Sequence, residues 1–137
     1  MKKAIGIIIL GILICSDSFA GKQQELIDQY LSDRKLAPIE GVWSITDPNG
    51  TSVRLYRRMN EGVYVSHTIH SYSFSCPDAR KAKIIQSSEN FYTANYRELN
   101  KSCRETKHRI NMSYTISGNS GTASLTYKGK TWNLPMT

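Results

Sequence analysis

Pro38-Ile39-Glu40-Gly41-Val42-Trp43-Ser44-Ile45-Thr46-Asp47-Pro48-Asn49-Gly50 is the stretch that decides the fold. Before Pro38 the apolar residues recur at helical spacing, and after Gly41 they recur at strand spacing. Proline lacks an amide hydrogen and disfavours helix in the residue before it, so the helical pattern must stop here. From Gly41 onward Trp43 and Ile45 alternate with Val42, Ser44 and Thr46, the period at which side chains point to opposite faces of a sheet. Asp47-Pro48-Asn49-Gly50 then supplies the proline and Asn-Gly chemistry of a tight reversal.

Downstream the same grammar repeats. Val53, Leu55 and Arg57 continue beyond the turn, and Asn60-Glu61-Gly62 makes the next one. Val63, Val65, His67 and Ile69 then share one face, with Tyr64, Ser66, Thr68 and His70 on the other. Ser71 to Asp78 reads as a loop carrying Cys76-Pro77, and Ala79 to Gln86 as a strand with Ala82 and Ile84 on one side. Phe91, Thr93 and Asn95 alternate with Tyr92, Ala94 and Tyr96 before the loop from Leu99 to Thr106, which holds Cys103. Ile110, Met112, Tyr114 and Ile116 alternate in turn. After Gly118-Asn119-Ser120-Gly121, Ala123, Leu125 and Tyr127 run back, Lys128-Gly129-Lys130 turns, and Trp132, Leu134 and Met136 finish.

These are about eight short strands at hairpin spacing with no helical pattern between them, which predicts an antiparallel up-and-down sheet. Closing that sheet removes its exposed edges, so the fold class expected is a mainly β, eight-stranded barrel preceded by one short helix. A barrel of about eight strands encloses room for packed side chains or for one small ligand.

Upstream, Gly21 to Leu36 places Leu26, Ile27, Tyr30 and Leu31 at helical spacing between charges, one amphipathic helix. The first residues carry Lys2 and Lys3, an apolar run from Ala4 to Cys15, and Ser18-Phe19-Ala20. This is the pattern of a secretory signal cleaved after Ala20. The run is too short for a membrane span, which needs roughly 17 to 25 apolar residues. Lipidation at Cys15 is the competing reading, and Ile14, where a small residue is needed, speaks against it. The expected division is therefore residues 1–20 as signal, 21–37 as helix and 38–137 as barrel, with export to the periplasm or beyond and no transmembrane span after cleavage.

Loss of Lys2, Lys3 and Asp17 takes the formal charge from +7 to about +6. The cations are spread along the chain, as on a solvated barrel exterior. Cys15 leaves with the signal, and Cys76 and Cys103 remain in a chain addressed to an oxidising compartment, so a disulfide between them is expected. Closing a loop of that length contributes about 3 to 4 kcal/mol. A metal site is not expected, since His67, His70 and His108 lack zinc-type spacing around the thiols.

The helix followed by Glu40-Gly41-Val42-Trp43 and a meander resembles the lipocalin-like proteins of the calycin group, whose first strand begins with Gly-x-Trp. Pro38 to Trp43, Glu61-Gly62-Val63-Tyr64 and Tyr127-Lys128-Gly129-Lys130-Thr131-Trp132 are similar to small exported bacterial proteins of that type, and the resemblance spans Pro38 to Met136. In such a barrel glycine lets the chain bend inward without a Cβ clash, and the indole plugs one end. The family often lays an arginine of the last strand over that tryptophan, where this chain offers Lys128 and Lys130.

The resemblance and the apolar stripe together lead to binding of a small apolar or amphipathic molecule in the interior. The lining expected is Trp43, Val53, Leu55, Val65, His67, Ile69, Ile84, Phe91, Ile110, Met112, Tyr114 and Leu125, and the same side chains could instead simply fill the barrel. A second reading is a non-enzymatic interaction protein that meets an envelope protein or an anionic surface. It rests on Lys101, Arg104, Lys107, His108 and Arg109 and on Tyr64, Tyr72, Tyr92 and Tyr96 as exposed aromatics. No nucleophile elbow, His-Glu-x-x-His helix, phosphate loop or paired-carboxylate motif occurs. Neither catalytic residues nor a cofactor is therefore expected, and without an RNA-binding signature no nucleic-acid partner is either.

Overall fold

The structure is a computed structural model that describes residues 13–32, 34–47, 50–71 and 83–137. Helix α1 (Leu13–Tyr30) leads to eight strands: β1 (Gly41–Asp47), β2 (Gly50–Asn60), β3 (Val63–His70), β4 (Ile84–Ser88), β5 (Phe91–Leu99), β6 (Glu105–Ser117), β7 (Ser120–Tyr127) and β8 (Lys130–Met136). They pair in sequence order into a closed antiparallel barrel, the fold class the alternation predicts. The helix is displaced from the expected Gly21 to Leu36: it begins earlier, ends at Tyr30, and so runs through Ala20. The expected strand from Ala79 is observed from Ile84, and the loop that carries Cys76, with Tyr72, lies outside the described residues.

The ladders are unequal. β6 and β7 pair continuously from Ile110↔Tyr127 to Ser117↔Ser120. By contrast, among the described residues β3 meets β4 only through Val63↔Ile85 and Tyr64↔Ile84, with Gln86 N–H donating to Gly62 O at 2.9 Å. Closure rests on Ile45↔Met136 and on reciprocal bonds between Ser44 and Thr137 of 2.8 and 3.0 Å.

Gly41 opens β1 at φ +144°, where an L side chain is strained, yet no atom stands within 4 Å of where its Cβ would be. Glycine is needed there for its backbone freedom, not for the space that a side chain would fill. Gly121 is the opposite case, because a Cβ there would meet the main-chain oxygen of Thr115 at 2.7 Å. Backbone held in a ladder cannot move aside as a side-chain end can. Gly121→Ala should therefore destabilise by about 1 to 3 kcal/mol, read as a lower urea midpoint, and an unchanged midpoint would show that the β6–β7 hairpin gives way freely.

Strand alternation sorts the side chains into two sets. The inner set is one continuous core that includes Trp43, Tyr56, Tyr64, Ile84, Tyr92, Ala94, Met112, Tyr114, Ile116, Ala123, Leu134 and Met136. The outer set on β2 and β3 is also buried, because α1 packs against these two strands from outside. Leu55 and Val65 are fully buried there, with His67 and Ile69 nearly so. Leu26, Ile27 and Tyr30, the half-buried residues of the predicted amphipathic face, supply the helix side of this contact. His67 stacks on Tyr30 at 4.9 Å, Arg57 Nε donates to His67 Nε2 at 3.1 Å, and the Arg57 guanidinium lies over the Tyr30 ring at 4.3 Å.

Candidate functional site

One end of the barrel is plugged. The segment from Arg34 to Glu40 crosses beneath it and leaves Ile39 with no exposed surface and Trp43 with 5%. The indole N–H of Trp43 donates to Ile39 O at 2.7 Å, and Ile39 N–H donates to the Tyr92 hydroxyl at 3.4 Å. Tyr92 in turn meets Tyr64 edge-on at 5.4 Å. The segment is pinned by the Glu40 carboxylate, which accepts from both Arg34 guanidinium nitrogens, from Ala37 N–H at 3.0 Å and from Arg58 N–H at 2.9 Å. Burial alone would push this carboxyl up, but the Arg34 hydrogen bond and the two main-chain donors outweigh it and hold Glu40 below its ordinary range. The indole stopper expected from the sequence is thus present, with a carboxylate rather than a cation as its support.

Above the plug, Tyr56 and Tyr114 meet across the lumen, edge to face, at 5.8 Å. Burial pushes the Tyr56 phenol up to about 12 despite the nearby Arg54, and burial raises Tyr114 well above the ordinary value too. Both remain protonated hydrogen-bond donors at any physiological pH.

The other end is different. Ile45, Arg54, Thr68, Tyr96, Ile110 and Leu125 occupy inward-facing strand positions yet stay only half-buried, and Trp132, opposite Leu125, is 38% exposed. An inward-facing side chain can be wet only where the lumen opens to solvent, so this half of the barrel is a cup. At its rim the Tyr127 hydroxyl donates to Glu98 Oε1 at 2.7 Å, His108 meets the Tyr127 ring edge-on at 6.0 Å, and Lys128 Nζ lies over that ring at 5.2 Å. Lys128 therefore covers a rim tyrosine, at the end of the barrel away from Trp43.

Six of the expected lining residues do face the lumen: Trp43, Ile84, Ile110, Met112, Tyr114 and Leu125. The others are corrected. Leu55, Val65 and His67 belong to the outer face beneath α1, and Val53 and Ile69 hold the outward positions of the same strands. Phe91 alternates with the inward Tyr92 and likewise points out. The cause is that both faces of β2 and β3 are covered, so apolar character does not tell the lumen from the helix contact. The aromatic set offered as exposed is also corrected, since Tyr64 and Tyr92 are core residues and Tyr96 faces inward half-buried. The basic run splits by alternation: His108 turns inward with Thr106 and Ile110, while Lys107 and Arg109 point out and Arg109 hydrogen-bonds Asn95.

Arg54, Tyr56 and Trp132 are among the lumen residues that the expected lining left out. Among the described residues no group of three or more His, Cys, Asp or Glu is placed to hold a metal, and no helix is long and apolar enough to cross a membrane. No protein-family model, curated protein or solved structure matches this chain.

Proposed function

We propose that this is an exported lipocalin-like binding protein, matured by cleavage after Ala20, that takes a small amphipathic molecule into the open half of its barrel and performs no chemistry on it. The observation that supports this most is the contrast between the two ends: the plugged end is dry and filled, while inward-facing Ile45, Ile110, Leu125 and Trp132 remain accessible in the cup. Apolar side chains left partly wet in a concavity are what a guest's own apolar surface would cover, at roughly 25 cal/mol per Å² removed from water. Cys103, in the β5–β6 connection at the mouth, would pair with Cys76 and tie the rim down.

The chain has two tryptophans, Trp43 in the plug and Trp132 at the mouth, so fluorescence can report on one end at a time. Titration of the mature protein with the neutral amphiphile octanol should shift Trp132 emission to the blue, and Trp132→Phe should abolish the response while the buried Trp43 signal stays. An unchanged spectrum up to saturating octanol, with native mass spectrometry showing no retained small molecule, would overturn the binding reading. The same intact mass, taken with and without reductant, tests the Cys76–Cys103 pair and a mature chain beginning at Gly21.

A further inference from the structure

Resting on the binding reading, we infer that the guest is anionic: a small organic carboxylate whose head group pairs with Arg54 at the floor of the cup. The hairpin register sets Arg54 opposite Trp43 on one side and Thr68 on the other, so the strand delivers its guanidinium into the lumen. A guanidinium carries five N–H donors. One of them is given to Ser66 Oγ at 3.2 Å, and among the described residues Arg54 has no carboxylate partner. A cation drawn out of bulk water without a counter-charge is costly, and a bound carboxylate would remove that cost with a two-pronged hydrogen bond. Directly below stand Tyr56 and Tyr114, hydrogen-bonded to each other, whose phenols keep their protons and so never repel an anion as phenolates.

The mouth carries charges of both signs, Lys101, Arg104, Lys128 and Lys130 beside Glu98 and Glu105, and Glu98 is already engaged by the Tyr127 hydroxyl. The depth of the cup limits the tail. From Gly50 at the rim to Arg54, at about 3.3 Å per residue and a strand tilt near 40°, the drop is about 10 Å. A carboxylate bound at Arg54 therefore carries a short apolar tail that ends beside Ile45, Leu125 and Trp132.

The test compares octanoate with octanol on the mature protein, using Trp132 emission and calorimetry. Octanoate should bind at least about tenfold more tightly, and Arg54→Gln should erase that margin by weakening octanoate far more than octanol. Should Arg54→Gln fail to fold, Arg54→Lys serves, because an ammonium cannot make the forked contact and must narrow the margin. Equal affinity for the two probes overturns the head-group assignment and leaves the binding reading intact. A margin that survives unchanged in a folded Arg54 variant overturns the role of Arg54, and failure of both probes to bind overturns the binding reading itself.

Discussion

Glu40→Ala should remove about 3 to 5 kcal/mol of stability, the cost of breaking a buried ion pair by deleting one partner. The Glu40 side chain is 1% exposed, against 26% for Arg34. Its loss strands the Ala37 and Arg58 amides and leaves the Arg34 guanidinium with the Tyr30 carbonyl as its acceptor. For a domain whose whole stability is about 5 to 15 kcal/mol, this brings unfolding within reach of ambient temperature. Because the folded carboxyl titrates below its unfolded value of about 4.3, its contribution is fully present above that pH and is lost as pH falls through the lower folded value. Urea midpoints at neutral pH and near pH 3.5 should therefore converge between wild type and Glu40→Gln on acidification. A gap that stays constant with pH would mean that the carboxylate charge is not what holds the plug.

Trp43→Ala is expected to cost about 3 to 5 kcal/mol by emptying the plugged end of its largest side chain, and it also orphans the Ile39 carbonyl that the indole N–H now satisfies. Trp43→Phe keeps most of the ring volume and should lose only about 1 to 2 kcal/mol. Thermal melts of the two variants give the comparison. Octanol affinity measured well below both transitions should be unaltered in Trp43→Phe, since the plug and the cup are separated by the Tyr56–Tyr114 layer. A Trp43→Ala melt within a degree or two of wild type would show that the segment carrying Ile39 collapses to fill the space.

The barrel itself was legible in the sequence because turn chemistry and the period of two agreed along the whole chain from Gly41. The lumen was legible only in part. On β6 to β8 one face is apolar and the other polar, and the inward set follows from composition. On β2 and β3 both faces are covered, and Leu55, Val65 and Ile69 look like a core because they are one, beneath α1. The register held the missing information: the hairpin sets Asp47 opposite Gly50 and, counted back along it, Trp43 opposite Arg54. If the indole lies inside, the arginine must lie inside with it. Choosing the inner face by hydrophobicity selected the neighbours of Arg54 instead. The Glu40 anchor left no such trace, because its partners Arg34, Ala37 and Arg58 meet only once the segment has folded beneath the barrel.

The two short seams divide the wall into a pair of half-shells. One is the helix-backed set β1 to β3, the other the five-stranded set β4 to β8, and each is internally held by longer ladders, with register shifts in β2–β3, β4–β5 and β5–β6. Among the described residues the strand pairing between them is limited to Ile45–Met136, Val63–Ile85 and Tyr64–Ile84 with the bonds beside these, while the Tyr56–Tyr114 and Tyr64–Tyr92 ring contacts join the two sets across the lumen. Local opening follows the path that breaks the fewest contacts, and along these two lines the fewest ladder bonds of the described strands stand in its way.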